Sequence, residues 1–233
     1  MMELQEVTKV YQQGRRTVHA VRGVSMRVDA GEFVSIMGPS GSGKSTLMHL
    51  IGALDTPTTG RALFDGQDLR ELSDRQRSLL RRNRIGFVFQ FFNLLPTLTA
   101  CENVSMPHLL GGMSRRTALR QAEAALDRVG LLHRIDHFPE ELSGGEMQRV
   151  AVARALVTEP EAVLCDEPTG NLDSVTSSEI LSLLRGLPEE GRRSVVMVTH
   201  DQTAANIADR IVHIADGLLK PDEQGILRCA AAM

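Results

Sequence analysis

Residues 38–46 read GPSGSGKST and follow the apolar run EFVSIM. The spacing of Gly38, Gly43, Lys44 and Ser45 matches the phosphate-binding loop G-x-x-x-x-G-K-[ST], and the apolar pattern TLMHLIGAL follows it. In such a loop the glycines let successive backbone N–H groups turn toward a phosphate, and the N-terminus of the next helix adds a positive dipole. The motif therefore predicts that Lys44 reaches the β- and γ-phosphates of a nucleotide and that the Ser45 oxygen ligates Mg²⁺.

Two carboxylates follow a second apolar run, in AVLCDEP at residues 162–168. A buried strand would deliver Asp166 and Glu167 to its carboxyl end, the edge at which doubly wound sheets bind ligands. Taken alone, such a pair also fits a solvated loop. Beside a phosphate-binding loop, it predicts that Asp166 belongs to the Mg²⁺ shell and that Glu167 acts as the base for water.

A third group of residues, LSGGEMQRVAVARAL at 142–156, predicts a helix with a defined start. Ser143 and Glu146 have the S-x-x-E spacing of a capping box. Gly144 and Gly145 then present accessible N–H groups at the helix N-terminus, which makes a second phosphate-binding end.

The elements that position these residues alternate along the chain. Five short runs rich in Val, Ile and Phe predict mostly buried strands, at residues 32–38, 84–90, 161–168, 194–200 and 210–217. Apolar positions at helical spacing lie between them, at 119–129, where Gly130 marks the end, and at 180–187. The alternation predicts an α/β fold with a mainly parallel sheet and helices on both faces.

The domain organisation follows from the same pattern. Residues 91–160 have only helical patterning, which predicts a helical subdomain inserted in the sheet. The interpretation is one domain over 1–233, with a core of about 1–90 and 161–233 and a helical subdomain of about 91–160.

Composition excludes several other classes of protein. A net charge of -3 and a pI near 6.2 give no basic field, so no nucleic-acid partner is expected. No apolar run approaches the ~20 residues of a membrane span, and the N-terminus lacks the apolar core of a signal peptide, so the chain is expected in the cytosol. Cys101, Cys165 and Cys229 are widely spaced, which favours reduced structural thiols over a disulfide framework or a zinc site.

The motifs together closely resemble those of ABC ATPases, in order and spacing across nearly the whole chain. Beyond the three groups above, Gln90 ends a predicted strand, GNLD follows the acidic pair at 170–173, and His200 ends the strand VVMVTH. The resemblance implies a P-loop NTPase fold, ATP and Mg²⁺ as ligands, and hydrolysis of ATP. The implied ATP-binding residues are Tyr11, Gly38, Pro39, Ser40, Gly41, Ser42, Gly43, Lys44, Ser45 and Thr46.

The resemblance also implies how the site is completed. In this family two subunits form a head-to-tail homodimer, and the signature residues of one subunit close over the ATP held by the other; here these are Ser143, Gly144, Gly145 and Glu146. Tyr11 would stack on the adenine, and Asp173 would lie at the dimer contact. The implied catalytic residues are Glu167, His200, which would hold the γ-phosphate, and Gln90, and the implied Mg²⁺ ligands are Ser45, Gln90 and Asp166.

Within ABC ATPases, the stretches GEFVSIMGPSGSGKSTLMHLIGALDTPTTG, IGFVFQFFNLLPTLTACENV and DEPTGNLDS resemble the macrolide-export and lipoprotein-releasing branch. This implies an integral-membrane permease with a large extracytoplasmic domain as partner, and a peripheral ATPase at the cytoplasmic face of the inner membrane. The segment FFNLLP at 91–96 would receive a coupling helix of the permease; its alternative role is core packing. Glu146 stands where Gln is commonest and puts an extra negative charge near a phosphate site, and Cys165 stands where Ala is usual. The tail QGILRCAAAM contains no recognisable motif.

Three other classes of ATPase with related motifs are alternatives to a transporter subunit. A non-transport ATPase that works a permease-like partner to control cell-wall enzymes in division shares nearly all these motifs, although GNLD and FFNLLP favour the transport branch. DNA-repair and chromosome ATPases carry the same signature, but they need long coiled coils or zinc-binding insertions between the phosphate-binding loop and the signature. Only 99 residues separate Lys44 from Ser143 here, which disfavours this class. Translation-factor relatives need two such cassettes in tandem, and this chain has one.

Overall fold

Two β-sheets with helices packed around them form the part of the chain that the computed structural model describes, residues 1–14, 16–191 and 193–220. The strands are β1 (Met2–Gln13), β2 (Arg16–Val28), β3 (Phe33–Met37), β4 (Thr59–Phe64), β5 (Gln67–Asp68), β6 (Ile85–Phe89), β7 (Ala162–Asp166), β8 (Ser194–Thr199), β9 (Arg210–Ala215) and β10 (Leu218–Leu219). The helices are α1 (Lys44–Ile51), α2 (Asp74–Arg84), α3 (Ala100–Leu110), α4 (Arg115–Arg128), α5 (Gly144–Leu156), α6 (Ser174–Gly191) and α7 (Gln202–Ala205). Short 3₁₀ helices at Leu132–Arg134 and Pro139–Glu141 lie between α4 and α5.

The larger sheet is mainly parallel and contains all five strands that the sequence predicts. Its order is β10-β9-β3-β8-β7-β6, and its pairs are parallel except β9–β10 at one edge. Every residue of β8 and the first four residues of β3 and β7 are buried. Such continuous apolar strands are typical of a parallel sheet covered on both faces, and the predicted α/β fold class is confirmed.

Alternate residues of the parallel strands face two different hydrophobic cores. On one face, Phe33, Val163 and Val195 join the apolar sides of α3, α4, α5 and α6. On the other face, Val34 and Val196 join α1 and residues of the antiparallel sheet. The sheet is therefore the middle layer that fixes α1 relative to α5.

The second sheet is antiparallel, with order β2-β1-β4-β5, and the sequence analysis did not predict it. Its apolar alternation is interrupted because β1 contains register shifts, with Glu6 at a φ of 47°, and β2 contains Gly23 at a φ of 71°. In β1 the buried residues Met2, Leu4 and Val7 are consequently spaced by two and then by three positions. A bulge of this kind shifts the face to which later side chains point and hides the period of two.

Residues 91–160 contain helices and no strand, as the sequence predicts. The α4 helix buries Ala122 and Leu126, and Gly130 follows it at a φ of 74°, so the predicted end of this helix is confirmed. The α5 helix joins this region to the sheet, since its apolar residues share one core with β6 and β7. The boundaries at residues 90 and 161 remain a prediction.

The two described cysteines are free and buried, as the sequence favours for reduced structural thiols. Cys101 and Cys165 are buried free cysteines, and burial raises the pKa of Cys101 to about 11 and raises that of Cys165 as well. Such thiols are poor nucleophiles, as expected for structural residues. Within the described ranges, no helix combines the length and the apolar composition that a membrane crossing requires. Cys229 and the tail QGILRCAAAM lie outside the described residues.

The contact between β6 and α5 gives a first prediction. A Cβ atom added to Gly86 would lie 2.4 Å from the backbone oxygen of Ala155, so neither side can move without shifting main chain. We expect Gly86→Ala to lower the free energy of unfolding by roughly 1–3 kcal/mol in urea denaturation. The control is Gly144→Ala, where the added methyl meets contacts of 3.6 Å or longer and a change well under ~1 kcal/mol is expected. Equal stability of the two variants would contradict the packing argument.

Candidate active site

The loop between β3 and α1 is held in place by two close backbone approaches. A Cβ atom on Gly38 would lie 2.1 Å from the carbonyl oxygen of Ile214, and one on Gly43 would lie 2.3 Å from that of Ala20. Gly43 also has a φ of 103°, which side chains other than glycine rarely adopt. These two glycines therefore let the loop pass between β9 and β2, and α1 begins immediately after it with no side-chain cap from the described residues.

Lys44 is buried at the centre of this loop. Its ammonium donates to the carbonyl oxygens of Gly38, at 2.8 Å, and of Pro39, at 3.0 Å. Within the described residues Lys44 forms no ion pair with a carboxylate, and only 7% of the residue is exposed. A positive charge is thus kept inside the loop with dipoles as its partners, which leaves it available to an incoming phosphate.

The predicted metal ligands meet across two elements. The Ser45 hydroxyl, in the first turn of α1, donates to Asp166 Oδ1 at 3.1 Å, and Asp166 ends β7. Burial raises the pKa of Asp166, although the hydrogen bond from Ser45 opposes this effect. A carboxylate and a hydroxyl are hard oxygen donors of the kind that Mg²⁺ prefers, and a cation here would offset the desolvation of the carboxylate, so the pair fits that ion.

Gln90 lies beside the GNLD segment and makes no hydrogen bond to Ser45 or Asp166. Its amide nitrogen occupies the space that a Cβ atom on Gly170 would enter, at 2.9 Å. Its backbone oxygen accepts from the side chain of Asn171 at 3.0 Å. The structure therefore places Gln90 between the parallel sheet and the segment that leads to α6, and its predicted part in the metal shell remains a prediction.

Glu167 and His200 are in direct contact at the ends of β7 and β8. The His200 Nδ1 lies 2.9 Å from Glu167 Oε2, and because a carboxylate can only accept, Nδ1 carries the proton. The Thr199 hydroxyl and the His200 backbone N–H lie 3.4 Å from the same oxygen. The two residues predicted to act on water and on the γ-phosphate are thus brought together by neighbouring parallel strands.

The backbone of Glu167 is in the left-handed region, at a φ of 47°. Its N–H donates to the Val198 carbonyl at 2.9 Å, which fixes it to β8. On the other side, Gln148 of α5 is fully buried and its amide donates to the Pro168 carbonyl at 2.6 Å. Contacts from two elements therefore hold a strained residue in place, an arrangement found at functional sites. Sequence reasoning did not identify Gln148, since a polar residue at a helical position gives no sign of burial.

The capping box predicted at the start of α5 is present. Ser143 Oγ accepts from the Glu146 N–H at 3.3 Å, and Glu146 Oε2 accepts from the Ser143 N–H at 2.8 Å. Glu146 Oε1 also accepts from Arg134 Nε at 2.9 Å. The hydrogen bond from the Ser143 backbone is the main cause of the lowered pKa of Glu146, and the Ser143 side chain and then Arg134 lower it further. Arg134 thus compensates the extra negative charge, and no sequence spacing pointed to it because it lies in a separate 3₁₀ helix.

The two signature glycines have different surroundings. A Cβ atom on Gly145 would lie 2.4 Å from the methyl group of Thr176 in the first turn of α6, whereas Gly144 has room for one. Asp173 accepts from the N–H groups of Val175 and Thr176, both at 3.0 Å, and therefore caps α6 within its own chain. Its predicted place at a dimer contact is not tested by these contacts.

Tyr11 lies on β1 next to the segment that follows α1, and its hydroxyl donates to Asp55 Oδ2 at 2.8 Å. Tyr11 pairs with Val18 of β2, two residues before Ala20, whose carbonyl oxygen lies against Gly43. The antiparallel sheet therefore brings this ring close to the phosphate-binding loop. Its predicted stacking on adenine remains a prediction.

Comparison with known proteins identifies the class. The sequence model of the ABC transporter family matches residues 21–170. The macrolide export ATP-binding/permease protein MacB of Syntrophobacter fumaroxidans is 48% identical over 97% of this chain, which spans only 32% of that protein. The lipoprotein-releasing system ATP-binding protein LolD of Acinetobacter baylyi is 48% identical over 94% of this chain and 96% of its own length. The ATP-binding cassette MJ0796, solved as a dimer in a post-hydrolysis state with ADP and Pi, matches with a TM-score of 0.88 at 45% identity over 94% of this chain and 97% of that one.

The chain therefore belongs to the ABC transporter family. It has the α/β fold of an ATP-binding cassette, and ATP hydrolysis coupled to transport is the activity of this class. The predicted family, fold and ATPase class are confirmed, and so is the likeness to macrolide-export and lipoprotein-releasing proteins.

The contacts of Glu146 give a second prediction. Glu146→Gln keeps a side-chain acceptor for the Ser143 N–H and removes the charge that pairs with Arg134, so we expect a loss of stability well under ~1 kcal/mol at pH 7. Because folding lowers the pKa of this carboxyl, its contribution is present above the ordinary value of 4.5 and is lost as the pH falls through the folded-state value. Urea denaturation of both proteins from pH 3 to 7 measures the difference.

The matched control for this experiment is Glu141→Gln. Glu141 also closes a helix start, by accepting from the Phe138 N–H at 2.7 Å, and no cation of the described residues pairs with it. A Glu146→Gln difference that stays constant down to pH 3, or exceeds ~2 kcal/mol, would show that the ion pair has been misjudged.

Proposed function

We propose that this chain is the ATP-hydrolysing subunit of an ABC transporter complex and that it powers a membrane permease for efflux or for extraction of lipoproteins or lipids. The observation that carries the proposal is the contact of 2.9 Å between Glu167 and His200, one residue beyond the Ser45–Asp166 pair. Similarity to LolD over 96% of that protein's length supports the transport branch.

The residues of the loop and of the sheet edge have separate tasks in this proposal. Lys44 moves from its carbonyl partners to the phosphates, where its charge stabilises the equatorial oxygens in the transition state. Ser45 and Gln90 would hold Mg²⁺, and Asp166 would act on the ion from outside its ligand shell, next to the Ser45 hydroxyl that donates to it. When bound, that ion supplies positive charge at the β- and γ-phosphate oxygens.

Glu167 orients and deprotonates the attacking water. Its carboxylate is held by His200 Nδ1 and its backbone by Val198, so the oxygen that accepts the proton is fixed before ATP arrives. The hydrogen bond to Glu167 uses Nδ1 of the imidazole and leaves Nε2, on the far side of the ring, for the γ-phosphate. Because a phosphate oxygen accepts, Nε2 would hold it as a donor, with a proton on both ring nitrogens. Proton abstraction and phosphate binding are thereby located on adjacent side chains.

The signature residues complete the site in a partner copy. The face of Gly144 meets only ordinary contacts in its own chain, so a phosphate from a second subunit can approach its N–H. The dimeric structure of MJ0796 supports a head-to-tail homodimer in which Ser143, Gly144, Gly145 and Glu146 close over the other subunit's ATP and Asp173 lies at the contact. ATP binding draws the subunits together and hydrolysis releases them.

The permease is proposed to bind next to Gln90. Phe91 is 72% exposed and Leu95 is 45% exposed, whereas Leu94 between them packs against the core. The exposed Phe91 and Leu95 support the proposed docking role of FFNLLP, and Leu94 supports its role in core packing. We propose a permease with a large extracytoplasmic domain as the partner, which places this subunit peripherally at the cytoplasmic face of the inner membrane.

Removal of the proposed base gives a third prediction. Glu167→Gln keeps the size of the side chain and an acceptor for His200 but cannot take a proton, so turnover should fall by at least a hundredfold with ATP binding unchanged. The closed dimer should then accumulate with ATP and Mg²⁺ in size-exclusion chromatography. Lys44→Ala, the control, should weaken ATP binding and prevent dimer formation. Hydrolysis at the wild-type rate in Glu167→Gln would refute the assignment.

The proposed adenine site gives a fourth prediction. The sequence contains one Tyr and no Trp, so tyrosine emission comes from Tyr11. If the ring stacks on adenine, ATP and ADP should both quench this emission, whereas pyrophosphate with Mg²⁺ should bind without quenching. The titration is corrected for absorption by the nucleotide. Unchanged emission at saturating ATP, with the site shown to be filled by an independent assay, would rule out stacking.

A further inference from the structure

Two charged side chains, Lys9 and Asp55, meet at the Tyr11 ring, and we call these three residues the Tyr11 cluster. Lys9 and Tyr11 are two residues apart on β1, and the contact between the Lys9 ammonium and the Tyr11 ring shows that both side chains extend to the same side of the strand. Asp55 follows α1; its Oδ1 lies 2.6 Å from Lys9 Nζ and its Oδ2 accepts from the Tyr11 hydroxyl at 2.8 Å. One carboxylate thus holds both strand residues, one with each oxygen.

Lys9 also covers one face of the ring. Its ammonium lies 4.9 Å from the centroid of Tyr11, within the range of a cation–π contact, and it donates to the Thr56 carbonyl at 2.8 Å. The Lys9 side chain is 12% exposed and that of Asp55 is 28% exposed. The ring is therefore fixed at its hydroxyl by Asp55 and on one face by Lys9.

The cluster lies beside the phosphate-binding loop. Burial, followed by the hydrogen bond to Asp55, raises the pKa of Tyr11, while the side chain of Thr46 in that loop lowers it. Burial raises the pKa of Asp55, but hydrogen bonds from Lys9 and Tyr11 outweigh it, so the pKa of Asp55 is lowered overall. Asp55 is therefore charged at neutral pH, and the hydroxyl end of the ring is directed to the segment that follows α1.

Stability alone is a weak reason for this arrangement. A largely buried ion pair loses hydration that its own attraction only partly returns, and an apolar trio of the same volume would pack at least as well. A fixed ring, by contrast, gives a nucleobase a surface whose side-chain freedom is already lost, which reduces the entropy that binding must overcome.

We propose that Lys9 and Asp55 are positioning residues of the adenine site: they fix the Tyr11 ring so that the face opposite Lys9 receives the base of ATP. This inference rests on the proposed function, in which adenine stacks on Tyr11. Loosening the ring should weaken the binding of nucleotides that carry a base, and should leave the binding of phosphate groups alone.

The experiment compares ligands with and without a base by isothermal titration calorimetry. Asp55→Asn and Lys9→Met should each weaken binding of ATP and ADP by about three- to tenfold, with affinity for pyrophosphate and Mg²⁺ unchanged. The matched control is Asp65→Asn, which removes a carboxylate that pairs with Arg84 and the N-terminus and does not touch Tyr11. It should leave all three affinities unchanged. A general loss of fold would instead weaken all three ligands, and thermal unfolding of each variant checks for it.

Coupling to the ring is measured in the Tyr11→Leu background. Because Asp55 is proposed to act through the ring, Asp55→Asn should have no further effect on ATP affinity there, a non-additive result in a double-mutant cycle. In the protein without nucleotide, absorbance titration of the single tyrosine should show its pKa falling in Asp55→Asn toward the ordinary value of 10.

Failure of this inference differs from failure of the proposed function. If Tyr11→Leu weakens ATP binding while Asp55→Asn does not, or weakens pyrophosphate equally, or adds its full effect in the Tyr11→Leu background, the positioning role is overturned and the adenine site stands. If Tyr11→Leu leaves ATP and ADP affinity unchanged, the placement of adenine is wrong, and the role of Lys9 and Asp55 falls with it.

Discussion

The parallel alignment of β3, β8 and β7 is the constraint on which the rest of the site depends. Parallel strands end at one edge, so the loop after β3, the carboxylates after β7 and the histidine after β8 must lie side by side. The contacts between Ser45 and Asp166 and between Glu167 and His200 are the direct result. Residues more than 120 positions apart in the sequence are thereby brought within hydrogen-bond distance before any ligand binds.

The α5 helix extends this constraint to the rest of the molecule. Its first turn presents the signature glycines, Gln148 in its middle holds the Pro168 carbonyl, and Arg154 near its end donates to the carbonyls of Phe92 and Asn93. Phe92 and Asn93 both have positive φ values, so this segment needs such support to keep its shape. One rigid helix thus contacts the segment after the proposed base, the segment proposed to bind the permease and the residues proposed to bind the second ATP, which allows a displacement at one of them to reach the others.

The parts of the site that share a motif could be predicted from sequence, and the parts formed by tertiary packing could not. Gly43, Lys44, Asp166 and Glu167 were identified because spacing and an apolar strand give their position directly. The contacts of Arg134 and Gln148 could not be predicted, because their partners are 12 and 20 residues away on other elements. The antiparallel sheet could not be predicted for a local reason. Bulges near Glu6 and Gly23 interrupt the alternation of apolar and polar residues that indicates a strand.

The fold alone does not require the way in which the charges of Lys44 and Asp166 are kept apart. Among the described residues, Lys44 is buried between carbonyl dipoles without a carboxylate partner, and the half-buried Asp166 has a raised pKa, so each charge is poorly compensated by the protein. Pairing the two side chains would stabilise both, yet the loop keeps the ammonium on the carbonyls of Gly38 and Pro39. A nucleotide polyphosphate with its cation offers a negative partner to Lys44 and a positive one to Asp166 at the same time. The fold therefore keeps the two charges apart, in positions that suit a polyphosphate together with a cation, which is the electrostatic form of preorganisation.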